Sequence, residues 1–230
     1  MQGMDTTIAI FNQLPEIVTG KKHLSFRCYV EGKKAYFFFK RITDIALSVF
    51  MIVFVLSWLF PLIALLLKLD SPGPVFFLQK RVGKGGRSFT CYKFRTMVVN
   101  QEAHYRQATR NDRRITRLGK LLRTTNIDEL PQFLNVLLGH MSIVGPRPHM
   151  YADCRQFGVL IPRYKLRNLV KPGITGIAQV NGYHGPVPDY DQAYRRYQWD
   201  IFYVRNAGAW LDTRIMVRTV LQHLRLLFPS

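Results

Sequence analysis

Cysteine is scarce in this chain: three in 230 residues, Cys28, Cys91 and Cys154, far apart and odd in number. They match neither a disulfide framework nor a metal-binding spacing, which points to a reducing compartment. The six histidines include no pair at i, i+4 and no cysteine partner at zinc spacing, so no zinc centre is expected. Acid is scarce too. Fourteen Asp and Glu stand against 33 Lys and Arg, a net charge of +19. Such an excess leaves three kinds of partner: nucleic acid, anionic lipid or phosphorylated substrates. The chain shows no signal-peptide layout, internal repeat or low-complexity tract. Its glycine-rich turn, Gly83-Lys84-Gly85-Gly86, lacks the phosphate-loop pattern.

Long apolar runs, by contrast, are present. Ile45 to Leu67 is an uncharged stretch of about 23 residues, enough to cross a bilayer. Lys33, Lys34, Lys40 and Arg41 precede it, and Lys68, Lys80, Arg81, Lys84 and Arg87 follow. Basic flanks mark the cytoplasmic side, and here both flanks are basic. Pro61 lies inside the run, where its ring removes the bond to the Ser57 carbonyl and should bend the helix; the Ser57 hydroxyl is placed to satisfy freed backbone groups. A bent, re-entrant helix accounts for both facts better than a straight span.

Ahead of it, the weakly patterned arm is expected to be loosely ordered or to hold an interfacial helix near Ile8–Val18. Behind it, Asp70-Ser71-Pro72-Gly73-Pro74 is turn chemistry. Val75–Val82 and Ser88–Arg95 read as a β-hairpin, with Lys93 and Arg95 on one side of the second strand. Asn100–Arg114 is polar and basic, and Ile115–Arg123 is a short amphipathic piece. Tyr151–Asn168 reads as helix, Pro172-Gly173 as a turn, and Ile177–Val180 as an apolar strand. Two amphipathic segments, Asp191–Arg205 and Trp210–Phe228, close the chain. Their aromatic, arginine and apolar stripes suit either a headgroup-level helix or the domain core.

Chemistry concentrates between Arg123 and Pro148. Leu130, Phe133, Leu134, Leu137 and Leu138 form one apolar helical stripe, Gly139 is a natural stop, and Pro131 sets the start at about Ile127 or Asp128. Asp128 and Glu129 thus sit in the first turn, where free N–H groups suit a phosphate. On this helix alone, a cap at Asp128 and a dipole partner at Glu129 is the simpler reading. The sequel shifts the balance: after a short strand, Ser142–Val144, Arg147 stands between Pro146 and Pro148, a stiffened guanidinium suited to clamping an oxyanion.

These motifs resemble a known family. Lys40, Arg41 and Asp44 before the apolar run, SPGPVFF with QKR and the FxxYKFRTM strand, DELPQ to VGPRP, and PGITG with AQVNG are similar to bacterial monotopic phosphoglycosyl transferases. The likeness covers roughly Lys40 to Leu221. It implies that Asp128 and Glu129 are catalytic and hold Mg²⁺, and that Lys93, Arg95, Arg123, Arg147 and Asp200 serve the substrates. It further implies transfer of a hexose-1-phosphate from a UDP-sugar, glucose or galactose being expected, to undecaprenyl phosphate. UMP is released through an aspartyl-phosphosugar intermediate, as the first membrane step of exopolysaccharide, capsule or O-antigen assembly. Two departures stand out: Ser57 is followed by Trp58, with the proline a turn later, and Tyr183 stands where some relatives have arginine.

The resulting expectation is an α+β protein of the short form, with an arm (1–39), a re-entrant membrane helix (40–69) and a compact catalytic domain (70–230). It should work on the cytoplasmic face of the bacterial inner membrane, bound to lipid and not to nucleic acid; a homo-oligomer is left open. One rival is a metal-dependent glycosyltransferase releasing UDP, through the DxD-like Asp189-Tyr190-Asp191, which reads better as a helix-start cluster. A nucleic-acid-binding protein suits the charge, but not the apolar run.

Overall fold

The computed structural model describes residues 26–104, 108–109, 112–183, 185 and 189–227. The helix expected near Ile8–Val18 lies outside them, as does Phe228. A short helix, α1 (Phe26–Glu31), leads into α2 (Lys34–Asp70), a continuous 37-residue helix apolar enough to cross a membrane. It takes in the last residues of the stretch read as an arm. Phe54, Trp58 and Leu69 are 63%, 59% and 75% exposed, so this is no core helix of a soluble domain.

The irregularity in α2 has an unforeseen form. Ile52–Leu56 is a π-helical turn, N-terminal to Pro61. The Ser57 hydroxyl donates to the Val53 carbonyl of that turn, and Trp58 Nε1 to the Phe54 carbonyl. Ser57 therefore satisfies backbone one turn earlier than expected.

Both ends of α2 are tied to one folded body. At its start, Lys40 pairs with Asp212 at 2.6 Å, Arg41 donates to the carbonyls of Val136 and Leu137, and Asp44 accepts from the Ile143 N–H. At its end, the turn from Ser71 to Pro74 wraps the Arg95 guanidinium. Arg95 Nε donates to Pro74 O; one terminal nitrogen serves Ser71 Oγ and Pro72 O, the other Leu67 O and Ser71 O.

Strands β1 (Phe76–Val82) and β2 (Ser88–Phe94) form the expected hairpin, antiparallel from Phe76↔Phe94 to Val82↔Ser88. Helix α3 (Arg117–Thr124) is N-capped by Thr116, whose side chain accepts from the Gly119 N–H. Beyond it come α4 (Gln132–Leu137), β3 (Ser142–Val144), α5 (Tyr151–Leu160) and β4 (Gly173–Thr175), with β3 and β4 parallel. The helix expected over Tyr151–Asn168 is thus split, its second part being a 3₁₀ stretch, Tyr164–Leu169. The apolar run Ile177–Val180 is not a strand but a helical turn, α6, and the strand lies just before it. Pairing explains the shift: a Cβ on Gly173 would stand 2.1 Å from the Gly145 nitrogen, so only glycine lets these backbones meet.

Helix α7 (Tyr190–Asn206) turns Ala193, Arg196, Asp200, Tyr203 and Val204 into the core. Helix α8 (Ala209–Leu227) divides its surface: Asp212 and Ile215 are buried, while Trp210, Val217, Val220, Leu221 and Leu224 are exposed. Of the two readings for the tail, the core reading holds for α7, and α8 keeps an outward apolar face. The main core gathers Val136, Met141, Val144, Tyr203, Val204 and Ile215; a second cluster, Leu56, Ile63, Leu67, Phe94 and Leu122, joins α2 to the hairpin and α3. The fold mixes helices with two small sheets, in line with the α+β expectation.

Candidate active site

The two carboxylates lie in a tighter element than the stripe predicts. Asn126 has φ 55°, a left-handed conformation that asparagine tolerates, and Ile127–Glu129 follow as a 3₁₀ turn. Pro131 precedes α4, so the expected helix is broken in two. Neither acid caps anything. The predicted face holds in part: Leu130 and Phe133 pack against the core. Gln132, Asn135 and Val136 are buried, whereas Leu137 and Leu138 are 38% and 59% exposed.

Asn135 shows why. Its Oδ1 accepts from the Tyr92 N–H at 2.9 Å and its Nδ2 donates to the Thr90 carbonyl at 2.7 Å, so the amide acts as a strand partner for β2. That stitch sets the carboxylate turn beside Lys93, near the end of the same strand.

Glu129 is fully engaged. Its Oε1 accepts from Lys93 Nζ and from an Arg147 terminal nitrogen, each at 2.6 Å, and its Oε2 accepts from the other at 3.1 Å. Burial alone would raise this carboxyl, but Arg147 and Lys93 outweigh it and hold the group well below the usual carboxylate range. Asp128 differs. It is 7% exposed, and no hydrogen-bond donor among the described residues reaches it. Burial pushes its pKa up to about 6, against Lys93 and with Glu129. Arg123, whose charge favours ionised Asp128, is aimed by a 2.7 Å bond from its Nε to Thr96 Oγ1.

Of the seven site residues expected, six border one cleft of about 1270 Å³: Asp128, Glu129, Lys93, Arg95, Arg123 and Arg147. That is ample for a nucleotide-sized ligand. Leu47 and Met51 of α2 also border it. Arg95 and Asp200 have partners within the protein. Arg95 spends all five N–H groups on the turn that ends α2, leaving no donor for a substrate. Asp200, 2% exposed, pairs with Arg167 at 2.7 Å, and Arg167 in turn donates to the Arg147 carbonyl. It steadies the clamp from behind. Asp189 and Asp191 form the expected helix-start cluster: Asp189 caps α7 through the Gln192 N–H, and Asp191 pairs with Arg195.

Sequence reasoning missed Asn135 and Arg167. Asn135 lay inside the DELPQ-to-VGPRP motif, so position alone flagged it; nothing singled out Arg167. Among the described residues, no three His, Cys, Asp or Glu side chains gather into a metal cluster. Mg²⁺ needs no such cluster, since it is held by one or two carboxylates plus substrate phosphates. Asp128, with no protein donor on its oxygens, fits that demand; Glu129 would first have to release Lys93 and Arg147.

The model of the bacterial sugar transferases matches residues 35–226, from the first turn of α2 to the end of α8. The chain belongs to that family. Among curated relatives, a UDP-glucose:undecaprenyl-phosphate glucose-1-phosphate transferase of Klebsiella pneumoniae is 45% identical over 79% of this chain and 39% of its own. A UDP-N-acetylgalactosamine-undecaprenyl-phosphate N-acetylgalactosaminephosphotransferase of Aeromonas hydrophila is 48% identical over 80% and 43%. An exopolysaccharide production protein of Rhizobium leguminosarum is 47% identical over 70% and 84%. The sugar transferase region spans about two-fifths of the length of the first two relatives.

Proposed function

We propose that the chain transfers a hexose-1-phosphate from a UDP-sugar to undecaprenyl phosphate, releasing UMP, at the cytoplasmic face of the bacterial inner membrane. One observation carries the division of labour: Glu129 is saturated with cations, while the adjacent Asp128 is buried with no donor on its oxygens. A carboxylate so deprived is a strong candidate nucleophile.

In this reading an Asp128 oxygen attacks the β-phosphorus of the donor. The bond to the bridging oxygen breaks, and the electron pair leaves with UMP. The sugar-phosphate stays on Asp128 until an oxygen of undecaprenyl phosphate attacks the same phosphorus, frees the carboxylate and departs as a lipid diphosphosugar. Lys93, Arg123 and Arg147 offset the charge that gathers on the phosphoryl oxygens. Mg²⁺, held by Asp128 and the diphosphate, would add Lewis-acid charge neutralisation when bound.

The membrane arrangement follows from α2. A straight 37-residue helix is about 55 Å long, well beyond a hydrocarbon core of about 30 Å. Yet its start and its end both bond to the same body, through Lys40, Arg41 and Asp44 at one and Arg95 at the other. A re-entrant helix, dipping into one leaflet, reconciles these facts and brings a lipid phosphate to a soluble donor. Relatives named for glucose, and for N-acetylgalactosamine, support a hexose donor.

The test is release from membranes given UDP-glucose, UDP-galactose or UDP-N-acetylgalactosamine, with and without undecaprenyl phosphate. UMP with lipid diphosphosugar is expected, and a sugar-phosphate trapped on the protein when acceptor is withheld. UDP as the product would overturn the reading in favour of simple glycosyl transfer.

A further inference from the structure

Behind the Glu129 clamp lies a second group of buried side-chain nitrogens that the chemistry above does not use. His149, 5% exposed, bonds Tyr164 through Nδ1 at 2.6 Å, and its buried Nε2 has no partner among the described residues. Arg196, 6% exposed, donates one terminal nitrogen to the Gly185 carbonyl at 3.0 Å, and its buried Nε is likewise without a partner there. Arg81 gives one terminal nitrogen to the Pro148 carbonyl and the other to Gln79 Oε1, and its Nε is buried and unmatched among those residues. All three border the same cleft as Asp128.

Their charge is only partly answered: Asp153 and Glu129 act on Arg81, and Asp200 on Arg196, all from beyond ion-pair distance. Glu129 is committed to Lys93 and Arg147, and Asp200 to Arg167. Neither Arg81 nor Arg196 has a carboxylate within ion-pair distance among the described residues. Burial first, then Arg167, Arg196, Arg81 and Arg147, hold the His149 ring well below its usual pKa. Buried like charges and the unmatched Nε–H groups of Arg81 and Arg196 are costly, and an incoming anion offsets both costs at once.

We infer that Arg81, His149 and Arg196 form a second anion subsite, apart from the Lys93–Arg147 clamp, that takes a phosphate monoester. This rests on the proposed function and deepens it: the phosphate is the one that departs with the nucleoside. The alternative source is the lipid phosphate. The hydrogen-bond partners of the three residues are Pro148, Gln79, Tyr164 and Gly185, none of them from α2, along which a lipid would arrive. The subsite therefore favours the soluble nucleotide.

The test uses the full chain in detergent or nanodiscs and reads binding without turnover. Calorimetry with UMP, acceptor absent, is expected to show affinity falling about 10- to 100-fold in Arg196→Gln, the loss of one charge-assisted contact. Arg196→Lys, which keeps the charge but not the fork, should recover part of it. In turnover, KM for the UDP-sugar should rise with little change in KM for undecaprenyl phosphate. Unchanged UMP affinity in a folded Arg196→Gln protein would overturn the subsite; a rise confined to the lipid's KM would overturn its assignment to the nucleotide. Should Arg196→Gln not fold, Arg196→Lys carries the same comparison, with a loss of about fivefold expected. A wild-type chain that binds UMP in an Arg196-dependent way, yet releases none from any donor, would sink the proposed function and leave the subsite standing.

Discussion

Asp128 and Glu129 share a turn but not an environment, and the difference predicts a conflict between activity and stability. Burial raises the Asp128 pKa to about 6 in the folded protein, above its unfolded value of about 3.9. The folded state then binds the extra proton between those values, so this group's contribution falls as pH rises through them and is a net cost above about pH 6. Asp128→Asn removes the charge and keeps the shape. It should abolish UMP release, yet raise stability near pH 7 by about 1–3 kcal/mol, an advantage that vanishes below about pH 4. Thermal unfolding with a chelator present, across that range, checks the sign. Glu129→Gln should also lose activity but, unlike Asp128→Asn, lose stability with it, because it strands Lys93 and Arg147. At this scale the sequence showed which charges belong together, because residue type and motif order survive without coordinates. It could not show where each guanidinium points. Arg95 and Arg147 look alike on paper, but one serves carbonyls and the other a carboxylate.

Elements were legible where local chemistry decides them, and misread where a neighbour does. The β1–β2 hairpin follows from alternation and a glycine turn; the end of α2 follows from Ser71-Pro72-Gly73. The stripe on α4 misled at its far end, where Leu137 and Leu138 face outward, while the most buried positions are Gln132, Asn135 and Val136, with Asn135 bonded to β2. Ile177–Val180 misled because a short apolar run fits strand or helix equally, and the tight backbone approach of Gly145 and Gly173 decides the pairing. Close approach also holds α3. A Cβ on Gly119 would stand 2.0 Å from the Thr96 carbonyl, so Gly119→Ala should push α3 off the segment that follows β2, cost about 1–3 kcal/mol and lower activity by misplacing Arg123. Gly158, in α5, has nothing within 4 Å of such a Cβ, and Gly158→Ala should be neutral or stabilising by up to about 1 kcal/mol. Melting curves of the pair separate a packing requirement from a general intolerance of alanine.

For the whole molecule, the decisive feature is that α2 begins and ends on one body. Reporter cysteines at Glu31 and Lys84, both exposed, flank the apolar helix on either side. In a Cys28→Ser background, an impermeant maleimide should label both from the same face of sealed vesicles; labels on opposite faces would rule out the re-entrant path. The grip of β2 on that helix has a further consequence. Lys93 holds Glu129, and Arg95, two residues on, clasps the terminus of α2. A shift in how deeply the helix rides would therefore be geared straight onto the reacting groups. On the re-entrant reading, the protein reconstituted in lipids of increasing acyl length should show an optimum in turnover while donor affinity stays flat, its catalytic rate serving as a depth gauge.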